Sequence, residues 1–161
     1  GGGVVLTSIH EIDYLYWFFG NIHEVFSITG TFSDLNISAD DLSSIILRFK
    51  NNVIAEAHLD YFQRPNSRNC KIIGTKGTIT CDIDSNTVKF YNIKNKKWIT
   101  KLNLPKYDLN KTYIEELTHF IDCIGGKDKP INPLKEGIYT LKVALNAKKS
   151  SKLKKTLSIS R

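Results

Sequence analysis

The sequence predicts an α+β domain, an open and mainly antiparallel sheet with helices packed on one face. Three observations carry this: a helical period near the start, a long middle of β-branched and aromatic runs divided by turn formers, and a return to helical periods at the end. Helices grouped at the two ends of a run of strands cover a sheet from one side. With 161 residues, 41% hydrophobic and 24% charged, the chain has the size of one domain around one core.

The first helix spans Ile9 to Phe19 and ends at Gly20. Ile9, Ile12, Leu15 or Tyr16, and Phe19 recur three and four apart on its apolar face. A second stripe, His10, Asp13, Tyr14 and Trp17, shares the same helix.

Strands are expected over Ile22 to Phe32, Leu42 to Lys50, Val53 to Tyr61, Asn69 to Gly74, Thr78 to Asp82, Thr87 to Ile93 and Trp98 to Leu102, in a sheet of about six strands. Asn51-Asn52 reads as a two-residue hairpin turn, since Asn tolerates positive φ. Gly74-Thr75-Lys76-Gly77 lies between two strands and serves a turn; a dinucleotide fingerprint needs three glycines between a strand and a helix.

The next helix covers 112 to 124, with Ile114, Leu117, Ile121 and Ile124 as its apolar stripe, Thr112 and Glu115 at capping-box spacing, and Gly125-Gly126 after it. After Pro130 and Pro133 a last helix over 134 to 150 carries Ile138, Leu141, Ala144 and Leu145, and a short strand runs through Thr156 to Ile159.

The formal charge is +7, and its position decides its meaning. All 16 acidic residues lie at or before Glu136, balanced by 16 basic ones; the excess is Lys142, Lys148, Lys149, Lys152, Lys154, Lys155 and Arg161. A helix end favours cations, so the cluster has a structural explanation and no nucleic-acid partner is expected. Cys70, Cys81 and Cys123 lack zinc-ligand spacing, so no metal is expected; buried reduced thiols fit a cytoplasmic location, although Cys70 and Cys81 can also face each other across a hairpin. The longest apolar runs, Val4 to Leu6 and Leu15 to Phe19, fall far short of the roughly 20 residues that cross a bilayer. The start at Gly1-Gly2-Gly3 does not read as a secretory signal, and the chain looks trimmed.

Histidine exchanges protons near neutral pH, and a carboxylate on the same helical face can orient it; His10 and Asp13 meet that description, as they also meet that of an ordinary helix-surface hydrogen bond. The glycine run before them implies either close approach of backbone to another group or a flexible linker.

The segment Gly1-Gly2-Gly3-Val4-Val5-Leu6-Thr7-Ser8-Ile9-His10-Glu11-Ile12-Asp13 resembles the G-G-G…H-x-x-D opening of the C-terminal domain in the glucose-fructose oxidoreductase, inositol dehydrogenase and rhizopine-catabolism (Gfo/Idh/MocA) family. Asp60-Tyr61-Phe62-Gln63-Arg64-Pro65, Ile73-Gly74-Thr75-Lys76-Gly77-Thr78-Ile79, and Tyr113-Ile114-Glu115-Glu116-Leu117 with Phe120-Ile121 resemble later motifs of that family, in its order, to about residue 159. The resemblance implies the substrate and oligomerisation domain over 1–161, with the Rossmann domain that holds NAD or NADP, and a lysine in an E-K-P motif, elsewhere. It implies His10 and Asp13 as catalytic residues, a sugar, sugar derivative or cyclic polyol as substrate, and a homodimer or higher homo-oligomer through the sheet's open face. Tyr14, Trp17, Tyr61 and Arg64 are candidates for lining the substrate pocket, against the plainer readings of Trp17 and Tyr61 as core and of Arg64 as the end of a strand. No cofactor is expected to bind these residues alone. Many relatives carry an Asp four residues before the histidine, where this chain has Leu6 with Thr7 alongside. The competing reading is a non-catalytic assembly or anion-binding domain that keeps the fold without activity.

Overall fold

A computed structural model describes residues 2–160. The chain divides into two units, one formed by residues 1–62 with 131–161 and the other by 63–130. The strands form two four-stranded sheets, where the sequence led us to expect one sheet of about six. Local periodicity marks strands but carries no record of which strand pairs with which.

In the first unit, α1 (Gly3–Thr7) and α2 (Ile9–Phe19) meet at Ser8 and precede β1 (Ile22–Gly30), β2 (Leu42–Phe49) and β3 (Ile54–Asp60); α4 (Leu134–Leu153) and β8 (Leu157–Ser158) follow the second unit in sequence. The sheet order is β3-β2-β1-β8, antiparallel throughout. α2 has the bounds its period predicts. α1 is unpredicted: the glycine run enters a helix of five residues. β1 stops at Gly30, because the amides of Phe32 and Ser33 turn to the buried carboxylate of Asp41 at 2.8 and 3.0 Å.

The core lies in this unit: Val4, Ile12, Val25, Ile45, Leu47, Phe49 and Val143 are all essentially inaccessible to solvent. Strand residues alternate between that core and an outer face. Helices α2 and α4 cover the inner face as expected, joined by the unpredicted α1, but of the predicted α4 stripe only Ala144 is buried. Ile138, Leu141 and Leu145 are exposed, and the buried residues are Tyr139, Thr140, Val143, Ala144, Ala147 and Ser150. Small side chains let the helix approach β1 closely enough for Ser27 Oγ to donate to the Ala147 carbonyl at 2.6 Å and for Ser150 Oγ to accept from the Ser27 amide at 3.2 Å. The Tyr139 hydroxyl ties in the start of β1, accepting from the Ile22 amide at 2.9 Å and donating to its carbonyl at 3.0 Å.

The second unit is a meander, β4 (Asn69–Gly74), β5 (Gly77–Asp82), β6 (Thr87–Asn92) and β7 (Lys97–Asn103), followed by α3 (Leu109–Ile124). Gly74 and Gly77 close the β4–β5 hairpin as predicted. α3 begins three residues before the predicted start, because Asp108 caps it by accepting from the Asn110 amide at 2.9 Å; Thr112 and Glu115 lie inside the helix. Its apolar stripe buries no residue, with Ile114, Leu117, Ile121 and Ile124 all more than half exposed, which departs from the expectation that every helix packs on a sheet. No described helix is long and apolar enough to cross a membrane.

Candidate functional site

The site grows from the corner between α1 and α2. Gly3 has φ +78°, and a Cβ there would stand 2.3–2.5 Å from the Asp40 carboxylate; only glycine permits this approach. Asp40 then collects the first amides of α1, its carbonyl accepting from Val4 N at 2.8 Å and its Oδ2 from Val5 N at 3.3 Å. Lys148 of α4 pairs with the same carboxylate and donates to the Gly2 carbonyl at 3.1 Å. The close approach implied by the glycine run is thus intramolecular at Gly3. Gly1 lies outside the described residues.

With α1 anchored by Val4 and Val5, and α2 by Ile12 and Leu15, the opposite side of α2 turns outward. His10 leaves about half its side chain exposed, with Nε2 3.2 Å from Glu11 Oε1, and Nδ1 has no hydrogen-bond partner among the described residues. Asp13 turns away from it: Oδ1 accepts from the Thr140 hydroxyl of α4 at 2.8 Å, and no hydrogen bond joins His10 to Asp13 among the described residues. The carboxylate beside the imidazole is Glu11. Tyr14 is half-buried with its ring 5.6 Å from that of Phe18, and Trp17 is 79% exposed, 5.4 Å from Phe18. The Tyr61 hydroxyl donates to Thr7 Oγ1 at 2.8 Å, three residues before His10.

Arg64 belongs to the second unit, where its guanidinium donates to the Gln63 carbonyl at 2.8 Å. The structure therefore sets His10 and, through Thr7, Tyr61 at the α1–α2 corner, carries Asp13, Tyr14 and Trp17 along α2 away from it, and holds Arg64 in the second unit. Thr140, Glu11 and Thr7 are the positions that sequence reasoning missed. Thr140 holds its partner across 127 residues and carries no local signal.

Beside the Asp40–Lys148 anchor of α1, an open cavity of about 580 Å³ adjoins the end of α4, lined in part by Gly2, Thr29, Asp40, Lys148, Lys152 and Lys154. Its polar groups serve the fold: Lys148 is committed to Asp40, and Ser151 Oγ accepts from the Thr29 amide at 2.8 Å. The neighbouring Asp41 has its carboxyl shifted below the ordinary value. Burial alone would raise it, but the Ser33 hydroxyl and the amides of Phe32 and Ser33 outweigh burial. Among the described residues no group of three or more His, Cys, Asp or Glu side chains is arranged to hold a metal ion.

A family model described as the oxidoreductase family's C-terminal alpha/beta domain matches residues 1–159. Comparison with curated proteins gives no match. Among solved structures, an oxidoreductase domain protein from Kribbella flavida superposes with a TM-score of 0.85 at 17% identity, covering 100% of this chain and 51% of that one. The WlbA dehydrogenase from Bordetella pertussis, solved with NADH and UDP-GlcNAcA, gives 0.76 at 18%, covering 99% and 49%. Levoglucosan dehydrogenase, solved with NADH and L-sorbose, gives 0.81 at 16%, covering 100% and 51%. The chain spans about half the length of these structures, and the likeness is one of fold. Matched over all but its last two residues, the chain belongs to the Gfo/Idh/MocA oxidoreductase family, whose C-terminal α/β domain it forms.

Proposed function

We propose that this domain forms the substrate side of an NAD(P)-dependent oxidoreductase acting on a sugar, sugar derivative or cyclic polyol, with His10 exchanging the proton of the reacting hydroxyl. The observation that carries the reading is the outward imidazole of His10, set on a rigid two-helix corner with Glu11 at one nitrogen and the other available. Neighbours of the same fold solved with NADH and a sugar-type ligand support the substrate class.

The glycine-led start of α1 does not fit a dinucleotide. A pyrophosphate needs open amides at a glycine-rich helix start, and here Val4 N and Val5 N are already bonded to Asp40. The nicotinamide, which supplies hydride transfer when bound, belongs in this reading to residues outside the 161. What this chain contributes is binding, orientation and the proton. His10 donates or accepts it; Asp13, held by Thr140, positions α2 against α4 rather than the imidazole; Tyr14, Trp17 and Tyr61 line the approach. Ligand-observed NMR on the 161-residue chain with a panel of polyols and sugars tests the substrate side. Binding that weakens in His10→Ala supports the reading, and binding at a surface unaffected by His10→Ala and Trp17→Ala overturns the site.

The outer face of the first sheet supports a second element of the proposal, a homodimer. Ile28, Ile46 and Ile54 stand 54%, 46% and 67% exposed there, and Phe26 lies directly opposite Ile46 in the β1–β2 ladder. Glu24, Arg48, Glu56 and His58 share this face, and a sheet face of mixed apolar and paired charged residues is suited to a second copy of itself.

A further inference from the structure

We propose that Cys70 and Cys81 form a redox modification site, a thiol pair that a peroxide converts to an intrachain disulfide across the β4–β5 hairpin. The inference is independent of the proposed activity. The two residues are direct partners in the antiparallel ladder, four pairs from the Gly74–Gly77 turn, so their side chains share one face of the sheet. Both are half-buried, and neither is in a disulfide.

Residues directly opposite in such a ladder hold their Cα atoms about 4.5–5.5 Å apart, within the range of about 4.4–6.8 Å that a disulfide spans. Sequence neighbours on the same face are Ile72 and Ile79, the next pair but one toward the turn, so the thiols sit among apolar side chains and their nearest sulfur partner is each other. Cβ atoms across a ladder stand about 4.5–5.5 Å apart, against about 3.8 Å in a disulfide, so closing the bond draws the strands together by about 1 Å. β4 is the edge strand of the order β4-β5-β6-β7 and has one ladder to disturb, which lets it follow. A bridge made under that pull belongs to the reducible class rather than the structural one.

The chemistry balances with the peroxide as oxidant. One cysteine, as thiolate, attacks a peroxide oxygen; the O–O bond breaks, a sulfenic acid forms and one water leaves. The second sulfur attacks the sulfenic sulfur, the S–O bond breaks, and its proton leaves with the hydroxyl as a second water. Two thiols are oxidised by two electrons and one peroxide is reduced. Burial, reinforced by Asp82 and opposed by Arg68, raises the Cys81 thiol above its ordinary value, which lowers its thiolate fraction and slows any attack by that sulfur. Cys123 serves as an internal control, its sulfur 3.5 Å from His119 Nε2 on α3.

The test exposes the native 161-residue chain to hydrogen peroxide and follows thiol titration, intact mass and a peptide map. The expected result is a fall from three titratable thiols to one, a mass lower by two hydrogen atoms, a Cys70–Cys81 linked peptide, and full reversal by dithiothreitol. Cys123→Ser keeps the linked peptide, while Cys70→Ser and Cys81→Ser each abolish it. Native chain should close the bond about tenfold faster than chain unfolded in urea, because the ladder presets the geometry. A gain of oxygen on single cysteines without cross-linking, a link involving Cys123, a covalent dimer, or closure no faster when folded than when unfolded overturns the proposal; the wild-type map decides even if a variant fails to fold.

Discussion

The Thr140 hydroxyl donates to Asp13 Oδ1 at 2.8 Å, so the carboxylate three residues after His10 is tied to the C-terminal helix. Thr140 is buried, and replacing it by Val removes the donor while keeping the shape. A lost hydrogen bond to a charged acceptor costs about 1.5–3 kcal/mol. Urea denaturation of Thr140→Val and Asp13→Asn should show similar losses that do not add in the double variant. Unchanged midpoints would remove the link from the account of the site.

Two glycines should respond to alanine with opposite signs. Gly3→Ala forces a Cβ into the Asp40 carboxylate at positive φ and should destabilise by about 2 kcal/mol or more. Gly137 lies within α4 with nothing within 4 Å of its virtual Cβ, so Gly137→Ala should stabilise by about 0.5–1 kcal/mol. Thermal unfolding of both, compared with the parent chain, checks the pair.

Asp41 predicts an acid limb. Its folded carboxyl lies below the ordinary 3.8, so the stability it contributes is fully present above that value and is lost as pH falls through the lowered one. The gap in urea midpoint between wild type and Asp41→Asn should be widest near neutral pH and shrink in acid below about pH 4. A gap that stays constant from neutral pH into acid would show that Asp41 is not held by Ser33 and Phe32 as a carboxylate.

The proposed dimer turns on the outer face of the first sheet. Ile46 is central there, and Ile46→Asp should convert a dimer to a monomer in light scattering without changing the circular dichroism spectrum. A wild-type chain that remains monomeric at high concentration would sink the dimer.

In the intact oxidoreductase proposed above, His10→Ala should lower turnover by about 10²- to 10⁴-fold, the contribution of a positioned acid–base group, with cofactor affinity little changed. Glu11→Gln should have a smaller effect on turnover and alter its pH profile, since Glu11 is the carboxylate beside His10. Turnover equal to wild type in His10→Ala would reduce His10 to a structural role.

The parts legible in the sequence are those set by near neighbours. α2 is bounded by its own period and Gly20, and the β4–β5 turn by its two glycines. Long-range pairing left weaker traces. Nothing local in β3 and β4 says that they belong to different sheets, and in α4 the period picks out Ala144 but not Ala147 and Ser150, which the sheet selects for their size. For the site, the stripe His10, Asp13, Tyr14 and Trp17 was readable from helical spacing. Asp13's partner was not, because Thr140 reaches it through the packing of two helices far apart in sequence.

The first unit is discontinuous in the chain, its last helix encoded after residue 130. On a ribosome, the meander of residues 63–130 can be completed from near neighbours as it emerges, while β1, β2 and β3 wait with Val25, Ile45 and Leu47 uncovered until Tyr139 to Ser150 have been made. The nascent chain therefore passes through an interval in which its most apolar surface lacks its cover. Release ahead of α4 would leave a species whose fate lies with chaperones and proteases, and the later half of this unit decides whether the earlier half folds.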